Sequence, residues 1–321
     1  MIRGSTFAFA GLLVPLVAFG CGGSGKLSSG GPHPGLAVHR WADPVRGSVQ
    51  GVSEDGQVIT SVTGGGGALF VRGTDVTVLL APPPWTSLSA TGLSSDGMHW
   101  VGGISRWTGT DYPSMVAHYS PDSGLTTPEA PDVYASLMWS FEDDGTIYGR
   151  YRRAPGGEWR PFRWKSPAPL EPIEQLPQVP EFVPPQLTEE QANIFAPYRS
   201  RNHKWSGGHV VWKDAARPVS PVIVNAAGKQ KLLDGVGTVS YVDDMGRVAV
   251  FRETRGTDDW GPWHLWIEGD KPRVLAELLV ELGLTEAAEQ EPEPQRLTGN
   301  GRHLVIQYRD QRLARLDIRW P

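Results

Sequence analysis

The stretch GVSEDGQVITS (51–61) reads as a strand, a tight turn and a second strand, and its punctuation returns four more times. The other copies are GLSSDGMHWVGG (92–103), WSFEDDGTIYGRY (139–151), SYVDDMGRVAVF (240–251) and RLTGNGRHLVIQY (296–308). Glycine closes each turn, mostly as Asp-Gly or Asn-Gly. That is the strongest short-range hairpin signal, because both central residues of a two-residue hairpin turn need positive φ. A sixth, degenerate copy, QLTEEQANIFA (186–196), carries Glu190-Gln191 where the others have Asp-Gly. With Gly56, Gly97, Gly145, Gln191, Gly246 and Gly301 as markers, the spacings are 41, 48, 46, 55 and 55 residues.

Two further elements follow each turn. The first is an outer strand ending in aromatics, as in AHYS (117–120), PFRW (161–164), HVVW (209–212) and WHLW (263–266). The second is a short run with leucine or isoleucine, as in VTVLL (76–80), GLTT (124–127), LEPI (170–173) and SPVIV (220–224). The unit is therefore about four strands, and one such sheet cannot bury both faces alone. Radial stacking predicts an all-β fold, a β-propeller of six four-stranded blades. The last unit has room for three strands, ending at RLARLDIRW (312–320), and LAVHRW (36–41) reads as a spare strand. We expect that N-terminal strand to join the final unit and close the ring, covering its open edge.

Composition agrees. The 39 glycines and 28 prolines are spread along the chain, which means many turns between short strands. Thirteen tryptophans suit half-buried sheet surfaces. The net charge of −5 lacks the basic footprint of a nucleic-acid binder. Cys21 is the only cysteine, so no intramolecular disulfide is available and packing must supply the stability.

That cysteine ends the run Leu16-Val17-Ala18-Phe19-Gly20-Cys21, which resembles the lipobox of bacterial lipoprotein signal peptides. Arg3 gives a short positive start, and the apolar stretch Phe7 to Phe19 is too short for a span of roughly 20 residues. Residues 1–20 are therefore read as a signal peptide and Cys21 as the lipidation site, its acyl chains making the membrane the first partner. Residues 21–35 contain the Gly/Ser-rich run GGSGKLSSGGPHPG, a flexible tether spanning roughly 20 Å, and residues 36–321 form the propeller domain. Gly20, Gly25 and Lys26 mimic a phosphate-binding loop, but Leu27 stands where Ser or Thr is required. Gly22 lacks the aspartate that retains lipoproteins in the inner membrane, which favours an outer-membrane destination in a Gram-negative cell.

The S-x-D-G turns, the aromatic outer strand and the trailing leucine together resemble the extracellular HAF-type repeat family, over most of residues 45–320. VLAELLVELGLTEA (274–287) is similar to the helical stretch before that family's final repeat, with Pro272 where a helix would start and Gly283 where it would stop. The His-Ala-Phe signature is not intact in any copy. The resemblance implies a surface or secreted repeat protein without an established activity.

Chemistry is sparse. Asp55, Asp96 and the pairs Asp143-Asp144 and Asp243-Asp244 fall in or before hairpin turns, where aspartate bonds nearby backbone amides. None of the eight histidines forms a zinc-type pair; His118, His209 and His264 fall on the aromatic strands and read as packing or surface residues. No nucleophile elbow appears, and no catalytic residue, metal site or cofactor is nominated. One periodic feature stands out. In three units a loop ends in an aromatic near a proline, at Tyr112-Pro113, Trp159-Arg160-Pro161 and Trp260-Gly261-Pro262, with Arg106, Arg152 and Arg252 before it. Trp205 reads as their counterpart in the degenerate unit. If these loops share a rim, Tyr112, Trp159 and Trp260 with the three arginines are candidate ligand-binding residues for a glycan, peptide or anionic envelope component. The Pro-rich run 167–186 reads as an extended loop.

The sequence thus predicts a lipid-anchored cell-envelope propeller acting as a binding or scaffold module. The alternative is an envelope hydrolase or lyase working on polysaccharide at the propeller axis. Replacing Cys21 by serine should abolish palmitate labelling and leave an unprocessed precursor, since only the thiol accepts the diacylglyceryl group. Normal labelling of that variant would refute the lipid anchor.

Overall fold

The structure, a computed structural model, describes residues 35–41, 47–61, 66–73, 75–130, 132–178, 183, 185–255 and 259–320. The signal segment, Cys21 and the tether up to Pro34 lie outside the described residues.

Six hairpin turns among these residues share one construction. The N–H of Gly56, Gly97, Gly145, His203, Gly246 and Gly301 donates to the carbonyl three residues earlier, at 2.9–3.2 Å. All six residues have φ between 59° and 81°. Their two predecessors do not, so the turns are not the two-residue type expected. They are the longer hairpin in which an ordinary turn is followed by one left-handed residue. The opening side chain then braces the far strand. Ser53 Oγ accepts from Gln57 N–H, Ser94 Oγ from His99, Ser200 Oγ from Trp205 and Thr298 Oγ1 from His303, at 2.9–3.2 Å. Asp243 does the same for Val248 through Oδ1, at 3.0 Å. The third residue also caps: Asp96, Asp144, Asn202 and Asn300 each accept, at 2.9 Å, from the N–H two positions on. These acids and amides are turn-makers, as their positions imply.

The sixth turn therefore lies at Ser200–Trp205 and not at Glu190-Gln191. His203, with φ 59°, stands where the other copies have glycine. Gln191 opens the strand before that turn instead. HVVW consequently belongs to a second strand, and SPVIV to a third.

The strands follow in chain order. After β1 (Gly35–Arg40), blade 1 holds β2 (Ser48–Val52), β3 (Val58–Ser61), β4 (Gly67–Arg72) and β5 (Asp75–Leu80). Blade 2 holds β6 (Ser87–Leu93), β7 (Trp100–Ser105), β8 (Ser114–Ser120) and β9 (Gly124–Thr126). Blade 3 holds β10 (Ala135–Phe141), β11 (Ile147–Arg152), β12 (Arg160–Trp164) and β13 (Glu171–Pro172). Blade 4 holds β14 (Gln191–Arg199), β15 (Trp205–Trp212), β16 (Ser220–Asn225) and β17 (Gln230–Leu232). Blade 5 holds β18 (Thr238–Val242), β19 (Val248–Thr254), β20 (Trp260–Ile267) and β21 (Arg273–Val274). Helices α1 (Leu275–Glu281) and α2 (Ala287–Gln290) precede blade 6, made of β22 (Glu293–Leu297), β23 (His303–Gln307) and β24 (Leu313–Arg319). Each sheet is a four-stranded antiparallel meander, and the architecture is a six-bladed β-propeller. The N-terminal strand completes the last blade: β1 pairs with β24 from Gly35–Arg319 to Arg40–Ala314. Helix α1 sits where the sequence placed it, and Gly283, with φ 94°, follows its end.

Apolar faces pack blade on blade. Ile59 and Phe70 of blade 1 meet Leu88 and Trp100 of blade 2, and Val101 and Val116 meet Ile147, Phe162 and Trp164 of blade 3. Ile223 meets Val239 and Phe251 across blades 4 and 5, and α1 fills the space between blades 5 and 6 with Leu275, Leu278 and Leu279. Val305 and Leu313 of blade 6 close onto Val49 and Val58 of blade 1. The junction of blades 3 and 4 differs. Val210, Trp212, Val222 and Val224 cluster within blade 4 alone, while Leu137 on β10 remains 50 % exposed.

A second, polar belt runs through the turns, at the second residue of each. Glu54 N–H donates to Ser95 O at 2.7 Å, and Ser95 N–H to Asp143 Oδ1 at 2.7 Å. Asp143 accepts from Arg201 at 2.9 Å, Asn202 N–H donates to Asp244 Oδ1 at 2.8 Å, and Asp244 N–H to Gly299 O at 2.7 Å. Gly299 and Asn300 N–H then donate to the two Glu54 carboxylate oxygens at 2.9 and 2.6 Å, which returns the belt to its start. A Cβ on Gly299 would lie 2.3 Å from Asp244 Oδ2 and 2.8 Å from Glu54 Oε1, so any larger residue would push these two carboxylates aside.

Deleting residues 36–45 should lower the thermal midpoint by several degrees, because β24 loses a full strand and Leu36 and Val38 leave the core. Deleting 22–34 should leave it unchanged, and equal midpoints would refute the closing role of β1. Arg201→Met should cost about 2 kcal/mol, read as a lower urea midpoint, because it removes charge-assisted bonds that cross the axis.

Candidate functional site

The belt encircles one mouth of an axial channel of about 1440 Å³, lined by residues from all six blades. Its acids are already engaged. Glu54 holds two backbone N–H groups, Asp143 holds the Ser95 N–H and hydroxyl, and Asp244 holds Asn202 N–H. Glu142 accepts from the Tyr148 hydroxyl at 3.0 Å. Arg201 lies among them with its side chain 28 % exposed. Its guanidinium donates to Val52 O at 3.2 Å, Leu93 O at 3.1 Å and Asp143 at 2.9 Å, and stands 3.8 Å from Glu54. Burial pushes the Asp143 carboxyl up, but the Ser95 bonds and Arg201 outweigh it and hold the group below its ordinary range. Buried Asp243 behind the wall is pushed up by desolvation.

The loops joining second and third strands lie at the opposite end, because antiparallel strands alternate direction. Tyr112, Trp159 and Trp260 all stand on such loops or at their ends, in blades 2, 3 and 5, so they share one face. They do not form one platform. Blade 5 stands three places from blade 2, on the far side of the axis. Arg152 and Arg252 sit over the expected rings, at 5.0 Å from Trp159 and 5.5 Å from Trp260. Arg106 instead covers Trp85 at 5.4 Å, and Tyr112 packs on Trp107 with ring centroids 4.7 Å apart. Tyr112 is 63 % exposed and Trp260 50 %, while Trp159 is half-buried. Trp205 is no member of the group. It opens β15 beside the blade 5 turn, where a Cβ on Gly246 would run into its ring.

A recess of about 530 Å³ opens on this rim between blades 2 and 3, lined by Trp85, Arg106, Met115, Val133 and Tyr134 among others. Trp85 and Tyr134, on the connections between blades, were not singled out by sequence. Their cue is position, since each follows a proline-containing run just before an inner strand. Asp111 accepts from the Tyr134 hydroxyl, and that bond holds its carboxyl below the ordinary range. Arg152 also covers Tyr134, at 5.4 Å.

The histidines pack, as their strand positions suggested. His118 is buried on β8 with Nε2 3.0 Å from His99 Nδ1, and desolvation, helped by His99, lowers its pKa to about 4. His264 stacks on Phe251 at 4.8 Å, and His209 meets Thr238 at 3.1 Å. Among the described residues no three His, Cys, Asp or Glu side chains converge to hold a metal, and no helix is long and apolar enough to cross a membrane.

No protein-family model matches this sequence, and no curated protein does. Some solved structures align with it at low identity and low TM-score. A chain of the mitotic checkpoint complex is 12% identical, with 96% of this chain and 100% of that chain covered and a TM-score of 0.40. A virginiamycin B lyase from Staphylococcus aureus is 10% identical, covering 88% and 99%, with a TM-score of 0.35. A putative TolB from Agrobacterium tumefaciens is 11% identical, covering 91% and 100%, with a TM-score of 0.34.

Proposed function

We propose that this chain is a lipid-anchored cell-envelope protein whose propeller serves as a binding or scaffold module. The lipobox-like run ending at Cys21 supports the anchor, and Gly22 supports an outer-membrane destination in a Gram-negative cell. The turn pattern supports kinship with the extracellular HAF-type repeats. The observation that carries the binding role is the division of labour between the two ends of the propeller. The channel acids are consumed by turn backbone, Tyr148 and Arg201, whereas the rim presents arginine-covered aromatics beside an open recess. A hydrolase or lyase working in the channel would have to free one of these bonded carboxylates or draw on a channel tyrosine such as Tyr198 or Tyr241. A stacked ring with a cation beside it suits a sugar ring, a peptide or an anionic envelope component.

The test is a binding screen of the full-length protein in detergent against envelope glycans and peptides. For the ligand that binds, replacing Tyr112 and Trp159 together with alanine should weaken binding by about 2 kcal/mol, roughly 30-fold, with Trp260→Ala much less harmful. The Tyr112 change alone should leave the melting temperature unaltered, since that ring is exposed. No glycan or peptide binding, or binding indifferent to both rim changes, would overturn the proposal.

A further inference from the structure

At the belt end, one wall of the channel differs from the rest. Blades 5 and 6 bring Arg247, Arg296 and Arg302 to the same mouth, with Trp320 following β24 beside them. The Arg247 guanidinium lies over the Trp320 ring at 4.4 Å. Arg247 Nε and Trp320 Nε1 are both buried and have no hydrogen-bond acceptor among the described residues. Arg302 is exposed, and its guanidinium makes no ion pair or hydrogen bond among them. Arg296 Nη1 reaches the Gln295 carbonyl at 3.0 Å. Among the nearby carboxylates, Glu54 is occupied by Gly299 and Asn300 N–H and Asp244 by Asn202 N–H, while buried Asp243, whose charge acts on Arg247, spends Oδ1 on the Arg247 and Val248 N–H groups. A buried donor without an acceptor is costly, and two of them on a channel wall that also carries an unpaired cation call for an acceptor from outside.

The geometry points to an anion-binding site at the belt mouth, built by Arg247, Arg302 and Arg296 around Trp320, for a carboxylate- or phosphate-bearing ligand. Planar guanidinium groups match either oxyanion in a bidentate manner, and the indole N–H adds a directed donor. The channel, of about 1440 Å³, leaves the ligand body room along the axis. The site lies at the other end of the propeller from the rim, and its fate is independent of the rim reading.

Calorimetric titration of the full-length protein in detergent tests it, with digalacturonate, sn-glycerol 3-phosphate and inorganic phosphate as probes and maltose as the neutral control. At least one anion should bind with a Kd of about 1 mM or tighter, weakening as salt rises. Which probe binds distinguishes a uronate from a phosphate ligand. Arg302→Glu should weaken that binding at least tenfold with the melting temperature unchanged, because this side chain supports nothing else. Arg247→Met should weaken it similarly, and the Tyr112 and Trp159 changes should leave it intact. No binding by any of the three anions, equal binding of maltose, or an anion affinity indifferent to Arg302→Glu would overturn the site.

Discussion

The Arg201 guanidinium is the point on which the ring depends. It reaches from the blade 4 turn across the channel to carbonyls of blades 1 and 2 and to a carboxylate of blade 3. Those carbonyls and carboxylates end inner strands that converge on a narrow axis, where like partial charges would otherwise crowd. A single planar cation with several donors satisfies them together, and its partial burial limits screening by salt. Its bond to Asp143 also crosses the one junction where the described residues show no cluster shared between neighbouring sheets. Elsewhere apolar packing and the belt act in parallel. Between blades 3 and 4 the belt carries more of the connection.

This belt makes the two ends of the propeller physically unlike. At the belt end, short turns are capped by their own side chains and tied to their neighbours, which leaves little freedom. At the rim end, the loops are longer and differ from blade to blade, as binding loops on a rigid scaffold do. Arginines there lie on aromatic rings, so their charge is held in place at little entropic cost when a ligand arrives. The unpaired arginines of blades 5 and 6 depart from this division, since they bring charge to the otherwise satisfied end.

The fold was largely legible because its signals are local. A glycine three residues after a Ser, Thr or acid, flanked by apolar runs, is a hairpin wherever it occurs. The helix before the last blade and the N-terminal strand were legible for the same reason. Blade 4 was misread because His203 takes the left-handed backbone that glycine takes elsewhere. Histidine tolerates that region better than most side chains, but it carries no cue as strong as glycine. Ser200 and Asn202 were the available signal, at the same offsets as Thr298 and Asn300. Moving the turn shifted HVVW and SPVIV each back by one strand and took Trp205 from the rim to the belt end.

The sequence by itself determined five of the six turns, the strands beside them and the residues that cap them, since these contacts join positions at most a few residues apart. Only the tertiary structure decided the second turn position, which reads as noise in the repeat: Glu54, Ser95, Asp143, Arg201, Asp244 and Gly299. Each of those residues answers to another blade, Arg201 to three of them, and Glu54 and Asn300 meet across 246 positions of chain. The same holds for the rim, where Arg106 covers Trp85 of the preceding connection and not the Tyr112 of its own loop. A repeat carries the geometry of one blade. Which side chain meets which across a junction depends on closure of the ring, and no local pattern encodes that.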